Sequence, residues 1–166
     1  MKINKAIILI LVVVGWGAVL HGGGEIGNAG KLRAPLMGIE LEFSSKWTEL
    51  GSDYLVSILS PDFERNPQDN AHYSLVRLHL ENIKTVVDLR GYVEIRDQKR
   101  PWKAVEHRGI LGFAGALGDV QQGQRLDLEI YYLLKPCVVM QVSMNTSEVH
   151  AAEIQAIHNS LKWLEP

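Results

Sequence analysis

One cysteine, Cys137, stands in a chain of 166 residues, which excludes an internal disulfide and any site built from several thiolates. A dominant charge is missing too: 17 Lys and Arg face 19 Asp and Glu, a formal net of −2. Sequence-independent binding to nucleic acid needs a strong positive field, so that class is excluded and nucleic acid is not expected as a partner. Catalytic signatures are likewise scarce. Ser60, Ser143 and Ser147 have no Gly-x-Ser-x-Gly context, and GILGFAGALG has neither the Gly-x-Gly-x-x-Gly spacing nor a following Lys-Ser/Thr for cradling phosphate. What remains is ordinary globular material, 46% hydrophobic and 22% charged, long enough for one domain.

Long hydrophobic runs are absent except at the start. Lys2 and Lys5 precede an apolar run from Ala6 to Leu20, and two positive charges before it with none immediately after favour a cytoplasmic amino end and an exported remainder. Ile3 to Leu20 would span about 27 Å at about 1.5 Å per residue, against about 30 Å of hydrocarbon, so length fits both a short anchor and a signal peptide. Gly27-Asn28-Ala29 offers small residues for cleavage but lies far from the apolar core. The preferred reading is a retained anchor contacting the membrane through residues 3–20, with a cleaved signal peptide as the alternative. Residues 21–34, with five glycines in HGGGEIGNAG, read as a tether, and 35–166 as the globular domain.

Residues 31–166 carry a net of three negative charges and alternate in several places. Ile39, Leu41 and Phe43 oppose Glu40 and Glu42; Val76, Leu78 and Leu80 oppose Arg77, His79 and Glu81. Leu126, Leu128 and Ile130 oppose Asp127 and Glu129, and Val138, Met140, Val142 and Met144 oppose Gln141 and Ser143. These last two segments, split by Lys135-Pro136, predict a hairpin. Tyr54 to Leu59 predicts a shorter strand, and one more is expected within Lys103 to Ala116, loosened by its glycines. Helical spacing predicts a middle helix over Thr85 to Arg96, with Val86, Leu89 and Val93 in a stripe weakened by Gly91. It also predicts a closing helix capped at Thr146 or Ser147, with Ile154, Ile157, Leu161 and Leu164 in its stripe. The order implies an α+β fold, an antiparallel sheet with packed helices, preceded by an N-terminal transmembrane or signal helix.

The best chemical constellation is the polar sheet face formed by Glu40 and Glu42, Arg77 and His79, Asp127 and Glu129. If those strands are neighbours, His79 with Glu40 and Glu129 makes a candidate divalent-metal or acid–base site. A solvated sheet face with cross-strand charge pairs explains the same residues without a ligand, and is preferred. His150 and His158 stand eight residues apart, about 80° around a helix, and so do not make the i, i+4 pair of zinc sites; both are expected on the exposed face. Cys137 is expected to be buried and inert in a strand. Arg96, Lys99, Arg100 and Lys103 read as a solvated helix end, with Trp102 among them as a possible lipid contact. No catalytic residue, resident metal or cofactor is expected.

Four segments carry a family resemblance. Phe43-Ser44-Ser45-Lys46-Trp47 closes an opening strand, Leu89-Arg90-Gly91-Tyr92-Val93 forms a helix with a central tyrosine, Tyr131-Tyr132 precedes a Val-rich strand, and IQAIHNSLKW runs from Ile154 to Trp163. Together they resemble the superfamily that includes the PsbP extrinsic photosystem proteins, the DcrB envelope lipoproteins and the yeast Ran-binding Mog protein, over most of residues 36–164. The prolines before the first Trp and the lipoprotein cysteine are absent, and no functional residue of the family matches one by one. The resemblance implies an α/β/α sandwich used as a non-enzymatic docking scaffold. With the leading segment, it predicts an accessory or assembly subunit of a bacterial membrane complex. Its domain would lie on the periplasmic side of the inner membrane and its partners would be subunits of that complex. Two alternatives stand beside it: an exported metal-binding protein or metal-dependent enzyme, and an adaptor that holds apolar peptide segments in a groove.

Overall fold

The computed structural model describes residues 29–164 except 67, 120 and 121. The expected membrane segment and most of the tether lie outside the described residues. In chain order the strands are β1 (Ala29–Ala34), β2 (Ile39–Ser44), β3 (Thr48–Gly51), β4 (Leu55–Leu59) and β5 (His72–His79). Helix α1 (Val86–Arg96) is followed by β6 (Lys103–His107), β7 (Ile110–Leu117), β8 (Leu126–Lys135) and β9 (Val138–Thr146). A short 3-10 turn then leads into α2 (Ala151–Ser160) and β10 (Lys162–Trp163). This is the expected α+β class, with every strand pairing antiparallel.

The strands divide into two sheets, a small one ordered β1-β2-β10 and a large one ordered β3-β4-β5-β9-β8-β7-β6. One core lies between the large sheet and the layer made by α2 and the small sheet; Ile39, Leu41, Leu75, Ile130, Val142 and Leu161 are all fully buried there. Each such side chain contributes on the order of 2 kcal/mol by leaving water. On the opposite face, α1 packs Leu89 and Val93 onto Phe113, Tyr131 and Val139. The result is three layers.

Local chemistry explains most element ends. Thr85 caps α1 with a reciprocal box: its hydroxyl accepts from the Asp88 backbone N–H at 3.2 Å, and the Asp88 carboxylate accepts from the Thr85 backbone N–H at 2.9 Å. The β8–β9 hairpin closes through Pro136 and Cys137, as the alternation predicts. Cys137 sits in that turn at a φ of 67° rather than within a strand, and is half-buried.

Five local expectations are corrected. Residues 29–34, assigned to the tether, form β1, because Leu32 and Ala34 alternate with Lys31 and Arg33 and rest on the core. The single strand expected within Lys103 to Ala116 is the pair β6–β7, folded at Arg108-Gly109, whose φ values of 49° and 81° suit a two-residue hairpin turn. In β5 the fully buried residues are Tyr73 and Leu75, while Val76 and Leu78 lie on the α1 side; this central strand is covered on both faces. The closing helix ends at Ser160, and Lys162 and Trp163 leave it to pair with Glu40 and Ile39. The exposed strand β3 has no counterpart in the alternation.

Candidate functional site

The three candidate metal ligands do not converge. Glu40 belongs to β2 in the small sheet, where Lys31 approaches at 3.0 Å and Lys162 at 3.4 Å; the hydrogen bond from Lys31 leads in holding its carboxyl below the usual range. Glu129 lies in β8 and accepts from the Tyr131 hydroxyl at 2.9 Å on the α1 side. His79 is exposed at the end of β5. The physical reason is topological: β2 leaves the large sheet, so Glu40 and Glu42 never face Arg77, His79, Asp127 or Glu129 as strand neighbours. Among the described residues no group of three His, Cys, Asp or Glu is placed to hold a metal ion.

The histidines of the last segment are buried rather than exposed. His158 is 1% exposed on the inner face of α2. Its Nδ1 lies 3.1 Å from the Tyr73 hydroxyl and its Nε2 lies 3.2 Å from the Tyr132 hydroxyl. Burial, followed by the charge of nearby His107, pushes its pKa down to about 3, so the ring is neutral. A neutral imidazole has one donor and one acceptor, so one tyrosine donates to it and the other accepts from it. Desolvation raises both phenols above their ordinary value. His107, from the edge strand β6, donates from Nε2 to the Leu161 carbonyl at 2.8 Å, and its own carbonyl accepts from the Trp163 indole at 2.9 Å. The cluster thus uses its polar atoms to fasten α2 and β10 to the large sheet and its edge strand β6. Its sequence signal is the position of His158 in the stripe Ile154, Ile157, Leu161; reading histidine as polar by default concealed it.

His150 is also buried, with its ring edge-on to Trp47 at 5.5 Å and its Nδ1 2.7 Å from Glu153.

Arg100 overturns the solvated-helix-end reading of its basic group. It is 8% exposed and bridges Asp97 at 3.0 Å and Asp127 at 2.7 Å, with Glu129 at 3.7 Å. It also donates to the carbonyls of Gly115 and Asp127. Trp102, half-buried, donates to the Asp97 carbonyl at 2.9 Å and meets Tyr131 edge-on at 5.7 Å. Arg100 and Trp102 are therefore engaged within the domain, fixing the loop after α1 to the sheet.

A different cation faces the surface. Tyr54, Arg77, Leu78, His79 and Val138 line a groove of about 230 Å³ at one end of β4, β5 and β9. Arg77 donates through Nη1 to the Leu36 carbonyl at 2.9 Å, which fixes the guanidinium against the β1–β2 turn. Around it stand Leu36 and Tyr54, exposed by 62% and 64%. The alternation around Arg77 and His79 marked this strand end as polar, but could not show that the β1–β2 turn leans over it.

The layered α+β architecture is that of the PsbP-like proteins. The solution structure of cyanobacterial PsbP (CyanoP) from Synechocystis sp. PCC 6803 superposes with a TM-score of 0.54 at 15% identity, covering 89% of this chain and 98% of that one. LpqN, described as involved in cell envelope biogenesis of Mycobacterium tuberculosis, gives a TM-score of 0.52 at 13% identity over 86% of each chain. A Bacteroides thetaiotaomicron protein gives 0.52 at 11% identity over 80% of this chain and 47% of its own. No family model and no curated protein sequence matches. The expected resemblance is therefore shown at the level of the fold. Among the described residues no helix is long and apolar enough to cross a membrane.

Proposed function

We propose that the chain is a non-enzymatic accessory or assembly subunit of a bacterial membrane or envelope protein complex, tethered by residues 3–20 with its PsbP-like domain on the periplasmic side. The observation that carries this reading is the fold shared with CyanoP and with LpqN, the latter described as acting in envelope biogenesis. The apolar segment behind Lys2 and Lys5 supports it, since confinement at the membrane raises the domain's effective concentration at a membrane partner without a tight interface. The polar groups of His158, His107 and Arg100 hold elements of the domain together, consistent with a scaffold that works through its surface.

The test is an intact-mass determination on protein purified from native membranes in mild detergent, together with whatever accompanies it. Retention of residues 1–20 and subunits in fixed ratio are the expected result. A mass beginning after about Ala29, with the domain alone in the aqueous fraction, would overturn both the anchor and the accessory role.

A further inference from the structure

The Arg77 groove combines three properties. The residue is half-buried, its guanidinium is held at the surface by a backbone carbonyl, and no carboxylate lies within ion-pair distance of it. Arg100, by contrast, has three carboxylates around it, and Arg90 pairs with Glu94 at 2.9 Å. Asp53, which precedes exposed Tyr54, makes no ion pair with Arg77. The remaining guanidinium N–H groups have no acceptor among the described residues, and an arginine fork so fixed matches a carboxylate in both geometry and charge.

Size then selects the kind of ligand. A groove of about 230 Å³ falls below the roughly 300–1,000 Å³ of sites that enclose a free small molecule. It suits one side chain of a larger partner, the anchor-and-pocket arrangement of a protein interface. Leu36 and Tyr54 supply exposed apolar surface for the residues flanking that side chain. Position favours protein over lipid. The chain enters the domain at Ala29, and β1 carries it six residues, about 20 Å, to the turn that covers Arg77. The groove therefore opens at the end of β1 opposite Ala29.

We propose that the Arg77 groove is a docking pocket for a single Asp or Glu side chain of a partner subunit, with Tyr54 and Leu36 covering its neighbours. The proposal rests on the accessory-subunit reading.

The experiment places the photo-cross-linking residue p-benzoylphenylalanine at position 54 of the full chain in native membranes, with position 87 on α1, where Val87 is 78% exposed, as the control. Position 54 is expected to cross-link a co-purifying subunit at a peptide containing Asp or Glu. Arg77→Gln should lower the yield on the order of tenfold, the scale of a lost charge-assisted hydrogen bond. Arg77→Glu should abolish the cross-link, and exchange of the partner's acid for lysine should restore it. Because Arg77→Gln also loses the bond to the Leu36 carbonyl, Leu36→Ser gives a second reading at an exposed position and should lower the yield several-fold. If the same subunits co-purify but position 54 cross-links none of them, or does so regardless of residue 77, the pocket is disproved while the accessory role stands. Competition by inorganic phosphate with cross-linking to lipid would make the groove a phosphate site and overturn the proposal. If no subunit accompanies the unaltered chain, the accessory reading itself falls.

Discussion

The imidazoles of His107 and His158 lie 4.9 Å apart between ring centroids, tilted by 44°, and so join the edge strand β6 to the closing helix α2. Neither ring has a carboxylate partner, and His158 is fully enclosed. Their contact is one between neutral rings, which makes it a sensitive point of the fold.

Replacing His158 by alanine leaves the Tyr73 and Tyr132 hydroxyls without their shared partner and opens a cavity. The expected loss is about 3–5 kcal/mol of unfolding free energy in urea. His158→Phe fills the space but restores neither hydrogen bond, and is expected to fall between alanine and the parent.

Acid should unfold the domain through the same residues. The folded pKa of His158 is lowered from 6.5 to about 3, and burial also leads in lowering those of His107 and His72. A depressed histidine contributes stability that is fully present above its unfolded value near 6.5 and is lost as pH falls towards the folded value. For His158 that window runs from about 6.5 to about 3, with a slope of roughly 1 kcal/mol per pH unit. Urea titrations across this range in the parent and in His158→Phe check it: the substitution should flatten the slope, and equal slopes would remove His158 as the cause.

At Arg100 the predicted effect is on the loop after α1. Arg100→Ala removes the partner of Asp97 and Asp127 and frees the Gly115 and Asp127 carbonyls. The carboxylates retain some access to water, at 31% and 44%, so the loss should be about 2–3 kcal/mol, below that of a fully enclosed pair. Hydrogen exchange should rise first in residues 97–103.

Two glycines should respond in opposite directions. A Cβ at Gly91 meets nothing within 4 Å, so Gly91→Ala in the exposed helix α1 should stabilise the domain by about 0.5–1 kcal/mol. A Cβ at Gly112 would collide with the Tyr131 carbonyl oxygen, so Gly112→Ala forces β7 away from β8 and should cost several kcal/mol, on the scale of an overpacked core. Thermal melts of the two variants give the comparison directly.

The amino-acid sequence by itself determined the parts governed by near neighbours in the chain. Alternation was enough for β2, β4, β8 and β9, because side chains on a strand change face at every residue. The α1 stripe of Val86, Leu89 and Val93 and the Lys135-Pro136 division of the hairpin were legible in the same way. Segment order and soft motifs were enough for the PsbP-like class. Tertiary structure alone decided which strands share a sheet. Placing β2 with β10 rather than β5 dispersed Glu40, His79 and Glu129, and it ended α2 at Ser160 because the tail's backbone pairs with β2. It also decided which polar residues are enclosed. His158, His107 and Arg100 are polar in any sequence pattern, yet partners 26 to 85 residues away satisfy their hydrogen bonds and make their burial affordable. Such long-range satisfaction leaves no periodic trace along the chain, whereas the apolar pattern must repeat locally for an element to have an inner face.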